Sequence, residues 1–268
     1  MKFFLLFFSL SVSFDCLADK NFIIIQSTTS TRDSGFYEYI IPKYNKFNST
    51  KVRIVAVGTG QAIRNAKRCD GDILFVHHKN SEKKFVEEGF GLYRKEVMYN
   101  DYILVGPKND PAQIKGLKNI NKALSRIKES DSLFVSRGDD SGTHKKEVAL
   151  WNNFLNDEID TQRFSWYIET GSGMGSSLNV AVNISAYTLT DRSTWMFFGN
   201  KKNHKILVEN EPTLFNYYGI IPVNPKKCKN VKIKESEEFI NWLLSPIGRG
   251  YINEYNKDGT QLFFAVSK

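Results

Sequence analysis

Short apolar runs of strand length alternate with stretches whose apolar residues return every three or four positions, and this alternation leaves few folds open. Residues 22–26 form the first such run, after which Phe36, Tyr37, Ile40, Ile41, Tyr44 and Phe47 recur at helical spacing. Residues 52–57 read as a second strand, followed by a helix through Ala62, Ile63, Ala66 and Cys69. Residues 72–76 read as a third, followed by a helix over 81–88. Strand–helix–strand repetition predicts an α/β fold with a largely parallel sheet covered by helices.

The pattern changes at residues 97–105, a longer strand-like stretch ending at Gly106-Pro107. A new α/β block follows, with a helix near 117–127, a strand at 133–136 and a helix over 142–154. Residues 187–190 and 206–208 read as further strands, and 217–223 as a β-rich stretch stopped by Asn224-Pro225. Helices near 235–244 and 248–255 close the chain. The economical reading is two lobes joined by two crossing segments, 97–105 and 217–223. Lobe 1 then takes residues 19–100 and 219–268, and lobe 2 takes 101–218. Open α/β sheets bind ligands at the carboxyl ends of their strands, so the loops there should line the cleft.

Four of those loops share an unusual composition. They are Ser27-Thr28-Thr29-Ser30-Thr31, Gly58-Thr59-Gly60-Gln61, the run Ser136-Arg137-Gly138-Asp139-Asp140-Ser141-Gly142-Thr143, and Gly171-Ser172-Gly173-Met174-Gly175. Each enters a helix, where free N–H groups and a partial positive charge favour an anion. Hydroxyls add hydrogen-bond donors without adding negative charge, and Arg137 adds one full positive charge with a planar fork. Any one loop is explained by ordinary helix capping. Four together, rich in donors, point to an oxyanion. Asp139 and Asp140 are the awkward residues: Asp139 either orients Arg137 or accepts a proton from a protonated ligand.

The amino terminus predicts export. Met1-Lys2, an apolar run over 3–14 and Cys16-Leu17-Ala18 have the three-part form of a signal peptide, residues 1–18, cut after Ala18. The run is shorter than the roughly 20 residues a membrane span needs. Ser13-Phe14-Asp15 lacks the residues of a lipoprotein signal. Cys69 and Cys228 remain, and two thiols make no disulfide framework, so free thiols are the favoured reading. The net charge of +8 is spread along the chain, which argues for a solvated lysine-rich surface and against nucleic-acid binding.

Residues 27–31, 55–62, 85–102, 134–151, 170–178, 187–194 and 259–264 resemble the TupA family, the tungstate-binding component of bacterial ABC transporters. The stretch 134–146, FVSRGDDSGTHKK, is the most specific block. The resemblance implies a two-lobed type II periplasmic-binding-protein fold that closes over tungstate, or molybdate, as transported ligand. It further implies a periplasmic monomer, an ABC permease with its ATPase subunit as partners, and no cofactor. By position, the family's hydroxyl motif falls on Ser27, Thr28, Thr29 and Ser30, and its glycine turn on Gly58, Thr59 and Gly60. Its arginine motif falls on Arg137 with Ser141, Gly142 and Thr143. Ser172 and Gly173 of the fourth loop complete the expected ligand set, with Asp139 orienting Arg137.

Other readings remain open at this stage. The R-x-D-x-S-G-T spacing from Arg137 to Thr143 also resembles phosphate-binding proteins of ABC importers, although the first loop does not fit them. Asp140, Ser141 and His144 suggest a hydrolase, but no G-x-S-x-G elbow is present, and no enzyme is expected. His77, His78, His144 and His204 lack metal-ligand spacing and read as surface or capping residues.

Overall fold

The computed structural model describes residues 22–159 and 163–267 of the 268. The expected signal peptide, residues 1–18, lies outside the described residues. The chain begins β1 (Phe22–Thr28), α1 (Thr29–Asp33), α2 (Phe36–Asn45), β2 (Lys51–Val57), α3 (Thr59–Lys67), β3 (Ile73–Val76) and α4 (Lys79–Glu87). The long β4 (Lys95–Pro107) leads into α5 (Ile120–Glu129), β5 (Phe134–Ser136), α6 (Gly142–Leu155), β6 (Tyr167–Glu169) and α7 (Met174–Asn183). Then come β7 (Tyr187–Asp191), α8 (Arg192–Phe197), β8 (His204–Val208) and β9 (Phe215–Pro222). The chain closes with α9 (Ile233–Leu244), α10 (Pro246–Glu254), the short β10 (Asn256–Lys257) and β11 (Thr260–Gln261), and β12 (Phe264–Ala265).

The main sheet runs β2-β1-β3-β9-β4-β7-β5-β6, with β8 and β12 also paired to β4. β1 is parallel to β2 and β3, and β5 is parallel to β6 and β7. The crossing strands β4 and β9 are antiparallel to each other. Along β4 the partner changes: Asp101 is the last residue opposite β9, and Tyr102 is the first opposite β7. Two separate cores flank this handover. One gathers Ile23, Phe36, Tyr44, Phe75, Tyr218, Phe239 and Phe263. The other gathers Tyr102, Ile127, Phe134, Trp151, Tyr167 and Tyr187. Because α9 and α10 supply Phe239, Ile240, Leu243 and Ile252 to the first core, that core packs residues from both ends of the described chain.

The structure departs from the sequence reading in places. The hydroxyl run after β1 is already a helix turn, α1, and both α8 and the three-residue β6 escaped the periodicity. Such elements are too short to show a repeat. Phe47 lies past the end of α2 and is 67% exposed, so it does not extend that helix's apolar face. The favoured reading of free thiols is also corrected. Cys69 and Cys228 form a disulfide with Cα atoms 5.3 Å apart. α3 ends beside the segment that follows β9, a meeting across 159 residues that local sequence does not reveal.

Candidate oxyanion site

The site is assembled where the lobes meet. At the end of β1 the Thr28 side chain caps α1, accepting from the Thr31 N–H at 3.4 Å and meeting the Thr31 hydroxyl at 2.7 Å. Strand side chains alternate between faces, so its neighbour Ser27 points elsewhere. The Ser27 hydroxyl donates to the Phe75 carbonyl at 2.7 Å and pairs with the Tyr37 hydroxyl, which commits it to the framework. Thr29 is half-buried and Ser30 fully buried, with Ser30 Oγ 3.0 Å from His77 Nε2.

Loops from opposite lobes touch across the cleft. A Cβ added to Gly142, at the start of α6, would lie 2.8 Å from His77 Cε1 and 3.1 Å from Thr59 Oγ1. A Cβ on Gly60, in the first turn of α3, would collide with the Asp140 carboxylate. At Gly142 the neighbour is a buried ring, so glycine is needed for this close approach, whereas at Gly60 the half-exposed Asp140 side chain can swing aside.

Arg137 sits at this junction, 3% exposed. One terminal guanidinium nitrogen donates to Asp139 Oδ2 at 2.5 Å, while Asp139 Oδ1 accepts from the Ser141 N–H at 3.2 Å. Asp139 thus ties the guanidinium to the start of α6. Three buried polar atoms nearby have no hydrogen-bond partner among the described residues: Arg137 Nε, Thr59 Oγ1 and Thr143 Oγ1. Burying such groups unpaired costs about 1–3 kcal/mol each, so a cluster of them marks a place built for a ligand with acceptors.

The fourth loop plays a different part. The Ser172 N–H donates to the Arg137 carbonyl at 3.1 Å, and the Ser172 hydroxyl donates to Thr170 Oγ1 at 3.0 Å. Gly173 is exposed, with open space around it. This loop braces the backbone of Arg137, while the second and third loops meet each other and His77, which also holds Ser30 of the first. The hydrolase arrangement is absent. Ser141 Oγ caps α6 by accepting from the His144 backbone N–H at 3.1 Å, and His144 Nδ1 accepts from the Asp140 N–H.

The model of the PBP superfamily domain matches residues 19–246. The tungstate-binding protein TupA of Peptoclostridium acidaminophilum is 45% identical over 249 residues, covering 91% of this chain and 85% of the relative. The chain belongs to the TupA family. Among solved structures, the tungstate-binding TupA of Desulfovibrio alaskensis G20 superposes with a TM-score of 0.80 at 39% identity, covering 92% of this chain and 99% of that one. The tungstate ABC transporter structure from Geobacter sulfurreducens gives 0.79 at 43% identity, covering 87% and 98%. The fold is therefore the two-lobed type II periplasmic-binding-protein fold, with β4 and β9 crossing between lobes. TupA relatives are solute-binding proteins, and this chain is likewise not an enzyme.

In this TupA-family chain the residue that sequence reasoning missed is His77. It is buried, as is His204, so the reading of all four histidines as surface or capping residues is corrected for both. His78 does cap α4. Burial, helped by the positive charge of Arg137, pushes His77 down to about 3, so its imidazole is neutral at ordinary pH. Arg137 is then the buried positive charge at the junction, while Lys145 and Arg64 pair with Asp140 nearer the surface. A signal for His77 did exist: it directly follows β3, at the same strand ends that pointed to the other loops.

Behind Arg137 lies a second buried titratable group. Glu147 on α6 accepts hydrogen bonds from the Ser136 hydroxyl at 2.5 Å and the Tyr167 hydroxyl at 2.8 Å. Burial outweighs those bonds and pushes its carboxyl up to about 8. Between about pH 4.5 and 8 the folded protein holds a proton that the unfolded chain has released, so this group's contribution to stability falls as pH rises. Glu147→Gln is expected to flatten that dependence, raising the urea midpoint more at about pH 9 than at about pH 5. Equal shifts at both values would contradict the assignment.

Proposed function

We propose that this chain captures tungstate, with molybdate as the close alternative, and delivers it to an ABC importer. The observation that carries the reading is the cluster of buried, unpartnered Arg137 Nε, Thr59 Oγ1 and Thr143 Oγ1 around the Arg137 charge. The names and structures of the TupA relatives support the identity of the solute. Thr28, Thr29, Thr59, Gly60, Arg137, Ser141, Gly142 and Thr143 supply the cage. Ser27, Ser30 and Ser172 hold its loops in place, and the exposed Gly173 opens α7 beside them.

The position of Asp139 argues against the phosphate alternative. Its two oxygens are engaged by Arg137 and the Ser141 N–H, which suits an orienting carboxylate better than an acceptor for a ligand proton. Tungstate and molybdate are fully deprotonated at neutral pH and need no such acceptor. Sulfate is excluded by cage size, because its bonds are shorter than those of the metal oxyanions.

The handover of β4 from β9 to β7 at Asp101 and Tyr102 supports dividing the lobes as 19–100 with 219–268, and 101–218. The protein works in the periplasm as a monomer after cleavage behind Ala18, presenting its closed form to a permease coupled to an ATPase. The Cys69–Cys228 bridge supports export, since disulfides persist in oxidising compartments.

Calorimetric titration of residues 19–268 with tungstate, molybdate, phosphate and sulfate tests the reading. Tungstate is expected to bind with a Kd near about 1 nM, about −12 kcal/mol, with phosphate and sulfate silent. Tight phosphate binding without a tungstate response would move the protein to phosphate capture.

A further inference from the structure

Six buried polar side chains, from α1, the loop after β3, β9, β4, β7 and α8, form one continuous hydrogen-bonded network through the hinge. Ser30 Oγ on α1 meets His77 Nε2, at the end of β3, at 3.0 Å. His77 Nδ1 meets Asn216 Oδ1 on β9 at 3.1 Å. The Asn216 amide donates to Asn100 Oδ1 on β4 at 2.7 Å. The Asn100 amide donates to Ser193 Oγ at 2.9 Å and to Asp191 Oδ1 at 3.4 Å. Asp191 caps α8, accepting from the Thr194 N–H at 2.9 Å and the Thr194 hydroxyl at 2.5 Å.

We propose that His77 is a positioning residue of the oxyanion site, holding Ser30 through this chain so that seating of the ligand loop and closure of the lobes are one event. The proposal rests on the tungstate reading above. Donor directions follow from the amide orientations. With both Asn amide groups donating towards Asp191, the free Asn216 oxygen requires His77 Nδ1 to carry the proton. His77 Nε2 is then an acceptor, and the Ser30 hydroxyl donates to it. Ser30 spends its proton on His77, so it acts as the hook that fixes the start of α1.

The location gives the chain its meaning. Asn100 and Asn216 face each other in the β4–β9 ladder, immediately before β4 exchanges β9 for β7. A swing of one lobe against the other must displace β7 relative to β9, and hydrogen bonds tolerate only a few tenths of an ångström. Opening therefore breaks the chain at Asn100–Asp191 or frees His77 from the Tyr102 hydroxyl, which lies 3.2 Å from Nδ1. The ring itself has no freedom to compensate. It packs at a tilt of 34° against Tyr218 with centroids 4.8 Å apart, and Gly142 sits so close that an added Cβ would lie 2.8 Å from the ring's Cε1. A buried network that is fully satisfied in one arrangement specifies that arrangement.

The test uses sodium tungstate and the full mature chain carrying His77→Leu, His77→Gln, Asp191→Asn, or His77→Leu with Asp191→Asn. His77→Leu keeps bulk but ends the chain. It is expected to raise the Kd about tenfold through faster dissociation, and to lower the ligand-free melting temperature by a few degrees because the buried Ser30 and Asn216 each lose a partner. His77→Gln restores a polar link and most of the affinity. The double variant is expected to bind no more weakly than His77→Leu alone, because a broken chain is not broken twice. Losses that multiply in the double variant, or equal losses for Gln and Leu, would overturn the proposal. So would wild-type affinity in His77→Leu, or a loss that only tracks ligand-free stability. A wild-type protein silent to tungstate would instead overturn the solute reading, and the proposal with it.

Discussion

Arg137→Ala is expected to weaken tungstate binding by about a thousandfold while leaving the protein folded. The guanidinium is buried at the meeting of both lobes, with its Nε unpartnered and a terminal nitrogen held by Asp139. Removing it takes away at least two charge-assisted hydrogen bonds to the oxyanion, each worth about 1.5–3 kcal/mol. It also leaves a dianion in a low-dielectric cage without a compensating charge, and breaking a buried ion pair in this way costs about 3–5 kcal/mol. Either route spans about two to four orders of magnitude, centred near a thousandfold. Arg137→Lys should recover only part of the loss, because an ammonium keeps the charge and forfeits the fork that bridges Asp139 and the ligand. The fold should survive, since Asp139 keeps its Ser141 N–H contact and its side chain remains 16% exposed. Calorimetry on both variants, with circular dichroism as the folding control, decides it. An alanine variant that binds within tenfold of wild type would remove Arg137 from the centre of the site.

How much of this was visible in the sequence depends on where the information resides. The strands β1, β2 and β3 are compact apolar runs with an amphipathic helix after each, so their order and parallel sense follow from pattern alone. The crossing role of β4 was legible because the strand-like stretch over 97–105 is long and the pattern resets after Gly106-Pro107, although the strand itself extends further, to Lys95–Pro107. The direction of single side chains was not. Ser27 and Thr28 are adjacent and chemically alike, yet the pleat sends one hydroxyl to Tyr37 and Phe75 and lets the other cap α1. Nor did composition separate the braced fourth loop from the others, because Ser172 and Thr59 differ in tertiary neighbours, not in type. Asn100 and Asn216 were invisible for the same reason. An amide in a strand carries no signal until the register brings a second amide opposite it.

The disulfide depends entirely on tertiary structure, and the second large effect follows from it. Reducing the bridge, or replacing both cysteines by serine, is expected to lower the melting temperature by roughly 5–15 °C. The bridge closes a loop of 159 residues. The chain-entropy relation puts such a closure near about 5 kcal/mol, of which native bridges typically realise 2–4. Cys228 is buried against Ala66 and the core between α3 and β9, so serine also places a hydroxyl in an apolar pocket. The tungstate Kd should stay within about threefold. Cys69 lies two residues past the end of α3, at the opposite end of the helix from Thr59 and about 12 Å or more away at the helix rise, and the bridge joins segments packed on one core. Thermal scans with and without reductant make the comparison: the reductant should shift the wild type and leave the double-serine variant unmoved. If the double-serine variant melts with the oxidised wild type, the first lobe is held by its core alone and the bridge adds nothing to it. If affinity falls along with stability, the bridge would instead be setting the position of α3, and through Thr59 the geometry of the cage.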